Sequence, residues 1–358
     1  MPIFNAAIYL PEALHSLKSQ TYRPVQVVFF DDCSTDDSVK IVEAWRDENS
    51  LLFQSLVISG SLDMNRGPGF ARNEAIARSE GELIAHFDAD DLMSPQRITE
   101  QVALYLENDR DQDLLIGSNF DRFPKESTPY YTTWLNNMDQ QDLLLNKYRE
   151  CTIICPSWMY SRSVFAKMVR IRSECSSSSA SLKQNGGFVE ASVASLAFYG
   201  VSRIPEDLLF FLDHLESGGR LAKVTSVLVT YRHSPGSWAL GTTKQDLARI
   251  RASYIERMVI KAWQNFSIWG CGKDGRRFSN LLGAESASKL TCFLDVDPNK
   301  IGKSYYVKSV KKHVTIKHFS EGSSPMIICV GSKITGGRLE ENIRTLNLRE
   351  GVDYIHFS

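Results

Sequence analysis

The sequence has no apolar run approaching the roughly 18–20 residues of a membrane-spanning helix. Its first residues lack the basic-then-apolar order of a secretory signal. Its seven cysteines are scattered, with none in CxxC spacing. That argues against a disulfide framework and a zinc ribbon, and it fits a reducing compartment. Net charge is only −1, so no global field recruits nucleic acid, and such a partner must meet a local patch. These absences lead us to expect a cytoplasmic protein without a membrane partner, and they count against a lumenal, membrane-anchored enzyme. What is present is ordinary for a globular chain, at 43% hydrophobic and 23% charged residues. A length of 358 residues suits two domains better than one.

Strands and helices alternate through the first 120 residues, the signature of an α/β fold with a mostly parallel sheet and helices on both faces. Leu10, Leu14 and Leu17 space a helix with Pro11 in its first turn. Residues 25–30 (VQVVFF) read as a buried strand ending in Asp31 and Asp32. Val39, Val42 and Trp45 stripe a helix that Ser34 to Asp36 can cap. Strands are expected at 55–59, 83–87 and 113–117, and helices at 69–79 and 95–107. Residues 170–185 are Ser-rich without a hydrophobic period and read as a disordered surface insertion. A helix follows Pro205, and residues 224–231 are strand-like. A second unit starts near residue 262, with strands at 266–270, 290–294 and 325–330. Its Gly270-Cys271-Gly272-Lys273-Asp274-Gly275 opens a helix, and Asp295 follows twenty residues later. We therefore expect one domain over residues 1–250 and a small Rossmann-like domain over 262–358.

Phe87-Asp88-Ala89-Asp90-Asp91 sets three acids where a strand ends and a helix has not begun, the place where α/β sheets bind ligands. Such carboxylates suit a hard divalent cation, Mn²⁺ or Mg²⁺, that keeps room for a diphosphate. An acidic turn capping the next helix is the plainer reading. Asp31-Asp32-Cys33-Ser34-Thr35-Asp36 also closes a strand, where a carboxylate can accept from a nucleobase imide or a ribose hydroxyl, or where Ser34 or Asp36 simply caps. Asn65-Arg66-Gly67-Pro68-Gly69-Phe70-Ala71-Arg72-Asn73 is a Gly-rich loop entering a helix, whose arginines suit phosphate oxygens or stand in solvent. Pro205-Glu206-Asp207 puts two acids at a helix start, either for the dipole or as a general base. Tyr231-Arg232-His233 ends a strand, where a histidine is structural or ligates a metal.

These segments, in this order and together with Pro2-Ile3-Phe4-Asn5, resemble glycosyltransferase family 2, whose members have the GT-A nucleotide-sugar fold. The resemblance covers roughly residues 1–240. Over nearly the whole chain the sequence is also similar to the animal proteins named beta-1,3-N-acetylglucosaminyltransferase-like, through PEDLLFFLDHLESGG, FSIWGCGKDGRRF, CFLDVDPNKI and the final TGGRLEENIRTLNLREGVDYIHFS. That group is associated with queuosine-tRNA galactosyltransferase activity. The resemblance implies transfer of galactose from UDP-galactose to queuosine in the anticodon of tRNA for tyrosine. The alternatives are a UDP-sugar transferase with a protein, lipid or glycan acceptor, and a non-catalytic nucleotide-sugar or RNA-binding protein. Family members carry an apolar strand before the Pro-x-aromatic-Asn motif, so the N-terminal strand is expected to be missing here.

Carried over position by position, the resemblance gives Asp32 to the uracil, Arg66 or Arg72 to the ribose-diphosphate and Asp88 to the ribose. Asp90 goes to the divalent metal, with His233 completing its shell. Asp91 goes to the turn, and Asp207 is the general base with Glu206 as the fallback. One base suffices for inversion, because UDP leaves without protonation. Trp158 is either an apolar sugar platform or a core residue. In the second unit, Lys300, Lys303, Lys308, Lys311, Lys312 and Lys317, with His313 and His318, form a basic stretch for tRNA phosphates or a solvated loop. The GxGxxG there is read as structural or as acceptor docking, against the alternative of a working NAD site.

Overall fold

The computed structural model describes residues 1–53, 55–60, 64–177, 198, 205–233, 242–331 and 335–357. It divides into two compact units, Met1–Leu143 with Cys151–Gly241, and Leu144–Glu150 with Thr242–Ser358.

The first unit begins with β1 (Pro2–Ile3), α1 (Leu10–Lys18), β2 (Gln26–Asp31), α2 (Ser38–Asn49), β3 (Ser55–Gly60) and α3 (Pro68–Ala77). β1, β2 and β3 form a parallel three-stranded sheet with β2 in the middle. Its apolar run is explained by burial on both faces. Val27 and Phe29 pack with Leu14, Leu17 and Val42 of α1 and α2, whereas Val28 and Phe30 pack on Phe70, Ala71 and Ala75 of α3. β1 is formed by Pro2 and Ile3 of the Pro-x-aromatic-Asn motif itself, in register with Phe30 and Asp31.

The unit continues with β4 (Leu83–Ala85), β5 (Leu92–Met93), α4 (Arg97–Glu107), β6 (Leu114–Phe123), α5 (Pro129–Asn136), α6 (Gln140–Leu145), β7 (Met159–Ser161), α7 (Arg162–Ser177), α8 (Glu206–Glu216) and β8 (Arg220–Arg232). A second sheet runs β4-β7-β6-β8-β5, and only its β6–β8 pair is parallel. The expectation of a mostly parallel sheet therefore holds for β1–β3 and fails here. The antiparallel partners β5 and β7 are two and three residues long, too short to show any period.

The Ser-rich segment also departs from expectation. Its first part, up to Ser177, belongs to helix α7, and the rest lies outside the described residues, as does Gly186-Gly187-Phe188. The helical face continues through Val164, Met168 and Arg172, each at most 4% exposed and spaced four residues apart. Its last member is an arginine, paired with Asp213 of α8 at 2.7 Å, so no apolar stripe advertised it.

The second unit contains α9 (Lys244–Met258), β9 (Phe266–Trp269), α10 (Lys273–Leu281), α11 (Ala284–Ser288), β10 (Leu290–Asp295), β11 (Ser304–Val307), β12 (Lys312–His318), β13 (Met326–Ile328), α12 (Arg338–Thr345) and β14 (Tyr354–His356). Its sheet runs β11-β12-β10-β9-β13-β14, parallel except for the β11–β12 hairpin. That strand order is the doubly wound one.

Candidate active site

The site is built from chain segments that follow strands in the first unit. β2 ends in Asp31 and Asp32, and Cys33 then takes a left-handed φ of 72° to turn the chain. Asp31 Oδ2 accepts from the Ser34 amide at 3.1 Å. The polar residues of this turn bind the Asn5 segment more than they cap α2. Ser34 Oγ accepts from the Asn5 amide, Asp36 Oδ2 from Ala7 and Ser38 Oγ from Ala6, while Asn5 Oδ1 accepts from Thr35. The Pro-x-aromatic-Asn motif and DDCSTD are therefore one locked substructure.

Asp32 is 2% exposed, and its carboxylate accepts from the Arg66 amide at 3.0 Å and the Gly67 amide at 2.6 Å. Burial pushes its pKa up, and those two amides oppose the shift. Gly67 has φ +91° as the chain enters α3, a conformation that favours glycine. Asp32 thus clamps the Gly-rich loop. Beyond the clamp, the exposed Arg66 guanidinium lies 4.2 Å over the Phe70 ring.

The acidic turn follows β4. The His86 amide donates to Trp158 O at 2.9 Å, which carries the strand on toward Asp88. Asp88 is bound through both oxygens by Arg72 Nη2, at 2.9 and 3.0 Å. Arg72 Nη1 donates to Glu206 Oε1 at 2.6 Å. A single buried guanidinium therefore joins Asp88 to the first turn of α8, where Asp207 also stands. Arg72, expected at the diphosphate, has both ends of its fork committed to carboxylates instead. Burial first, then the adjacent Asp207, lift Glu206 to about 7 against the pull of Arg72. Burial likewise raises Asp207, whose Oδ1 accepts from the Leu208 amide at 2.7 Å.

Asp91 is fully buried, and its Oδ1 accepts from the Arg232 amide at 2.9 Å. It pins the end of β8 to the acidic turn, in keeping with a turn role, and burial followed by Asp88 and Asp90 raises its pKa strongly. His233 is the next residue along. Its side chain is exposed and its amide donates to Phe123 O. Asp90 is half-buried on the same turn as Asp88. Among the described residues, no group of three or more His, Cys, Asp or Glu is gathered to hold a metal. The donor chemistry still fits a hard cation that takes most of its shell from phosphate and water, and it does not fit an all-protein cage.

Residues 1–169 match the family model described as Glycosyl transferase family 2. The chain carries a glycosyltransferase family 2 domain. Several curated proteins are similar within it. Poly(ribitol-phosphate) beta-N-acetylglucosaminyltransferase TarS of Staphylococcus aureus is 33% identical over 113 residues, 31% of this chain and 19% of that protein. An uncharacterized glycosyltransferase of Haemophilus influenzae is 30% identical over 108 residues, 30% of this chain and 41% of that protein. Succinoglycan biosynthesis protein ExoO of Rhizobium meliloti is 36% identical over 99 residues, 28% of this chain and 26% of that protein. The matches thus span less than half the length of these relatives. A solved structure of TarS residues 1–349 in complex with UDP-GlcNAc superposes with a TM-score of 0.50 at 20% identity, over 71% of this chain and 64% of that one. The shared fold is GT-A.

The family 2 domain also holds residues that the motifs did not announce. Trp158 is a core residue and not a sugar platform: it is fully buried, donates to Ile153 O at 3.0 Å and packs on Phe210 and Phe211. Behind the acidic turn, His86 contacts the Tyr160 hydroxyl at 2.8 Å and Cys155 Sγ at 3.5 Å. Burial drives both the Cys155 and the Tyr160 pKa well up, so these groups are neutral packing partners. Asn73, next to Arg72, grips the backbone of Phe198 through both of its amide atoms. Among the described residues, no helix is long and apolar enough to cross a membrane.

In the second unit, a Cβ on Gly275 would fall 1.8 Å from Gly270 O, so the loop closes as tightly as its glycines suggest. Asp295, however, is already engaged. Its Oδ2 accepts from the Cys271 amide and Lys300 Nζ, and its Oδ1 accepts from the amides of Val296 and Asp297. Burial would raise its pKa, but the Lys300 and amide hydrogen bonds outweigh it and the net shift is downward. Lys303, Lys308, Lys311, Lys312 and Lys317 are exposed on or beside the β11–β12 hairpin, whereas Lys300 is paired with Asp295. Tyr306, 43% exposed, faces His313 across the strands at 5.2 Å.

Proposed function

We propose that this protein is an inverting glycosyltransferase that uses a UDP-sugar donor. The observation that carries this is the convergence of Asp88, Glu206 and Asp207 around Arg72, beside a Gly-rich loop clamped by Asp32. A family 2 domain and a position at the ends of β2 and β4 support a nucleotide-sugar site there. In this reading the exposed Arg66 meets the diphosphate, Asp32 sets the loop that walls the base and is the uracil candidate, and Asp88 faces the ribose. Asp90, with His233 from the end of β8, would hold a divalent cation. Such a cation would supply charge neutralisation for the departing UDP. Asp207 takes the proton from the acceptor hydroxyl as that oxygen bonds to the anomeric carbon and the bond to UDP breaks. Attack from the face opposite the leaving group converts an α-linked donor into a β-linked product.

For the finer assignment, we propose galactose as the sugar and queuosine in the anticodon of tRNA for tyrosine as the acceptor, in the cytoplasm. The whole-chain resemblance supports it, and so do the exposed lysines of the β11–β12 hairpin, which suit a phosphate backbone. A second reading, transfer of N-acetylglucosamine to a polyol-phosphate polymer, is favoured by the similarity to the poly(ribitol-phosphate) transferase TarS. Incubation with Mn²⁺ and radiolabelled UDP-galactose or UDP-GlcNAc, with bulk tRNA or poly(ribitol-phosphate), separates the two. Label on tRNA from UDP-galactose alone is expected. Label only on the poly(ribitol-phosphate) would sink the tRNA assignment, and no turnover with any donor would sink the transferase reading.

A further inference from the structure

Arg72 is 8% exposed and joins three chain segments. Its helix α3 begins at the loop that Asp32 clamps. Its Nη2 is bound to both oxygens of Asp88 and its Nη1 to Glu206. The next residue, Asn73, reinforces the tie. It grips Phe198, whose ring stacks at 4.5 Å on Phe210 of α8. Two successive side chains of α3 therefore hold α8 in place. Pro205 gives α8 no side-chain cap, and the first turn is tied to α3 through the Glu206 carboxylate on Arg72. Asp207 in turn is oriented by the Leu208 amide of that first turn.

We propose that Arg72 is a positioning residue that couples the base to the donor side, fixing α8 and hence Asp207 against Asp88, and that it makes no contact with phosphate. The inference rests on the transferase reading through the role of Asp207. Charge supports the same conclusion. Arg72 faces Asp88, Glu206 and Asp207, with Cys155 and Tyr231 also within electrostatic reach of these acids, and the buried Arg97 and the Met1 amino group within reach of Asp88. Arg72 lowers the pKa of both Glu206 and Asp207, which burial raises. Without it the acids would ionise at higher pH, and α8 would lose its tether to the acidic turn.

The test compares wild type with Arg72→Met and Arg72→Lys in a Mn²⁺-dependent UDP-release assay. For Arg72→Met we expect kcat to fall about 100-fold with the donor KM within about 3-fold. The acid limb of the kcat/KM profile should move up by about one pH unit. Arg72→Lys keeps the charge and loses the fork, so it should return the limb to its wild-type place with only part of kcat. A tenfold rise in KM at unchanged kcat would mark a phosphate contact and overturn the proposal, as would variants indistinguishable from wild type. A wild type without turnover would refute the transferase reading instead. In that case melting temperatures decide the bridge: Arg72→Met and Glu206→Gln should be non-additive in the double variant, and additivity would overturn it.

Discussion

Glu206 makes a quantitative demand on stability. It is 7% exposed, and burial, then Asp207, raise its pKa from 4.5 to about 7 despite the ion pair with Arg72. An acid with a raised folded-state pKa holds its proton more tightly when folded. Its stabilising contribution is full below 4.5 and is lost as pH rises through about 7. At about 1.4 kcal/mol per pH unit, ionising Glu206 in the folded state costs about 3 kcal/mol. Glu206→Gln keeps the shape and a hydrogen-bond acceptor toward Arg72 but cannot ionise. At about 2–4 °C per kcal/mol for a unit of this size, wild type should lose about 6 °C or more relative to the variant between pH 5 and pH 8.5. The assay is differential scanning calorimetry at both pH values, following the transition of the first unit. Parallel curves for wild type and variant across that interval would refute the reasoning, because they would mean that Glu206 ionises at no net cost.

Asp207→Asn should abolish transfer while UDP binding, measured by calorimetry, survives. Asp90→Asn should abolish transfer and weaken Mn²⁺-dependent UDP binding as well. Full activity in Asp207→Asn would remove it as the base. Gly275→Ala would place a methyl 1.8 Å from Gly270 O, and the second unit should unfold first in limited proteolysis; wild-type protection there would show that the loop is not closed as described. Charge reversal at the exposed Lys311 and Lys312 should weaken tRNA retention and flatten its dependence on log salt by about two counterions. An unchanged salt slope would exclude the hairpin from RNA contact.

What could be read in advance was whatever one short segment carries by itself. VQVVFF announces β2 because burial on both faces leaves nothing polar to blur it, and Pro68 and Pro205 announce the starts of α3 and α8. What could not be read depends on partners far apart in sequence. That Arg72 serves Asp88 and Glu206, sixteen and 134 residues away, is fixed only when α3 and α8 converge. Its spacing within the Gly-rich loop suits a phosphate clamp equally well. Trp158 could be placed on a sugar or in the core with equal justice until its indole was found donating to Ile153 O.

The second unit carries the same point to its end. GxGxxG followed twenty residues later by an acid is the pattern of a dinucleotide site, and the fold supplies the doubly wound sheet that such a site needs. The acid that would meet the ribose is saturated from within. Cys271 and Lys300 take one oxygen, and Val296 and Asp297 take the other. Removing Asp295 from that network would leave the Cys271 amide buried and unpaired, at a cost of about 1–3 kcal/mol. The same bonds that make the loop rigid therefore spend the group that a ribose would need. This unit keeps the architecture of a nucleotide domain while its Asp295 serves the loop itself, which favours docking or support over cofactor chemistry.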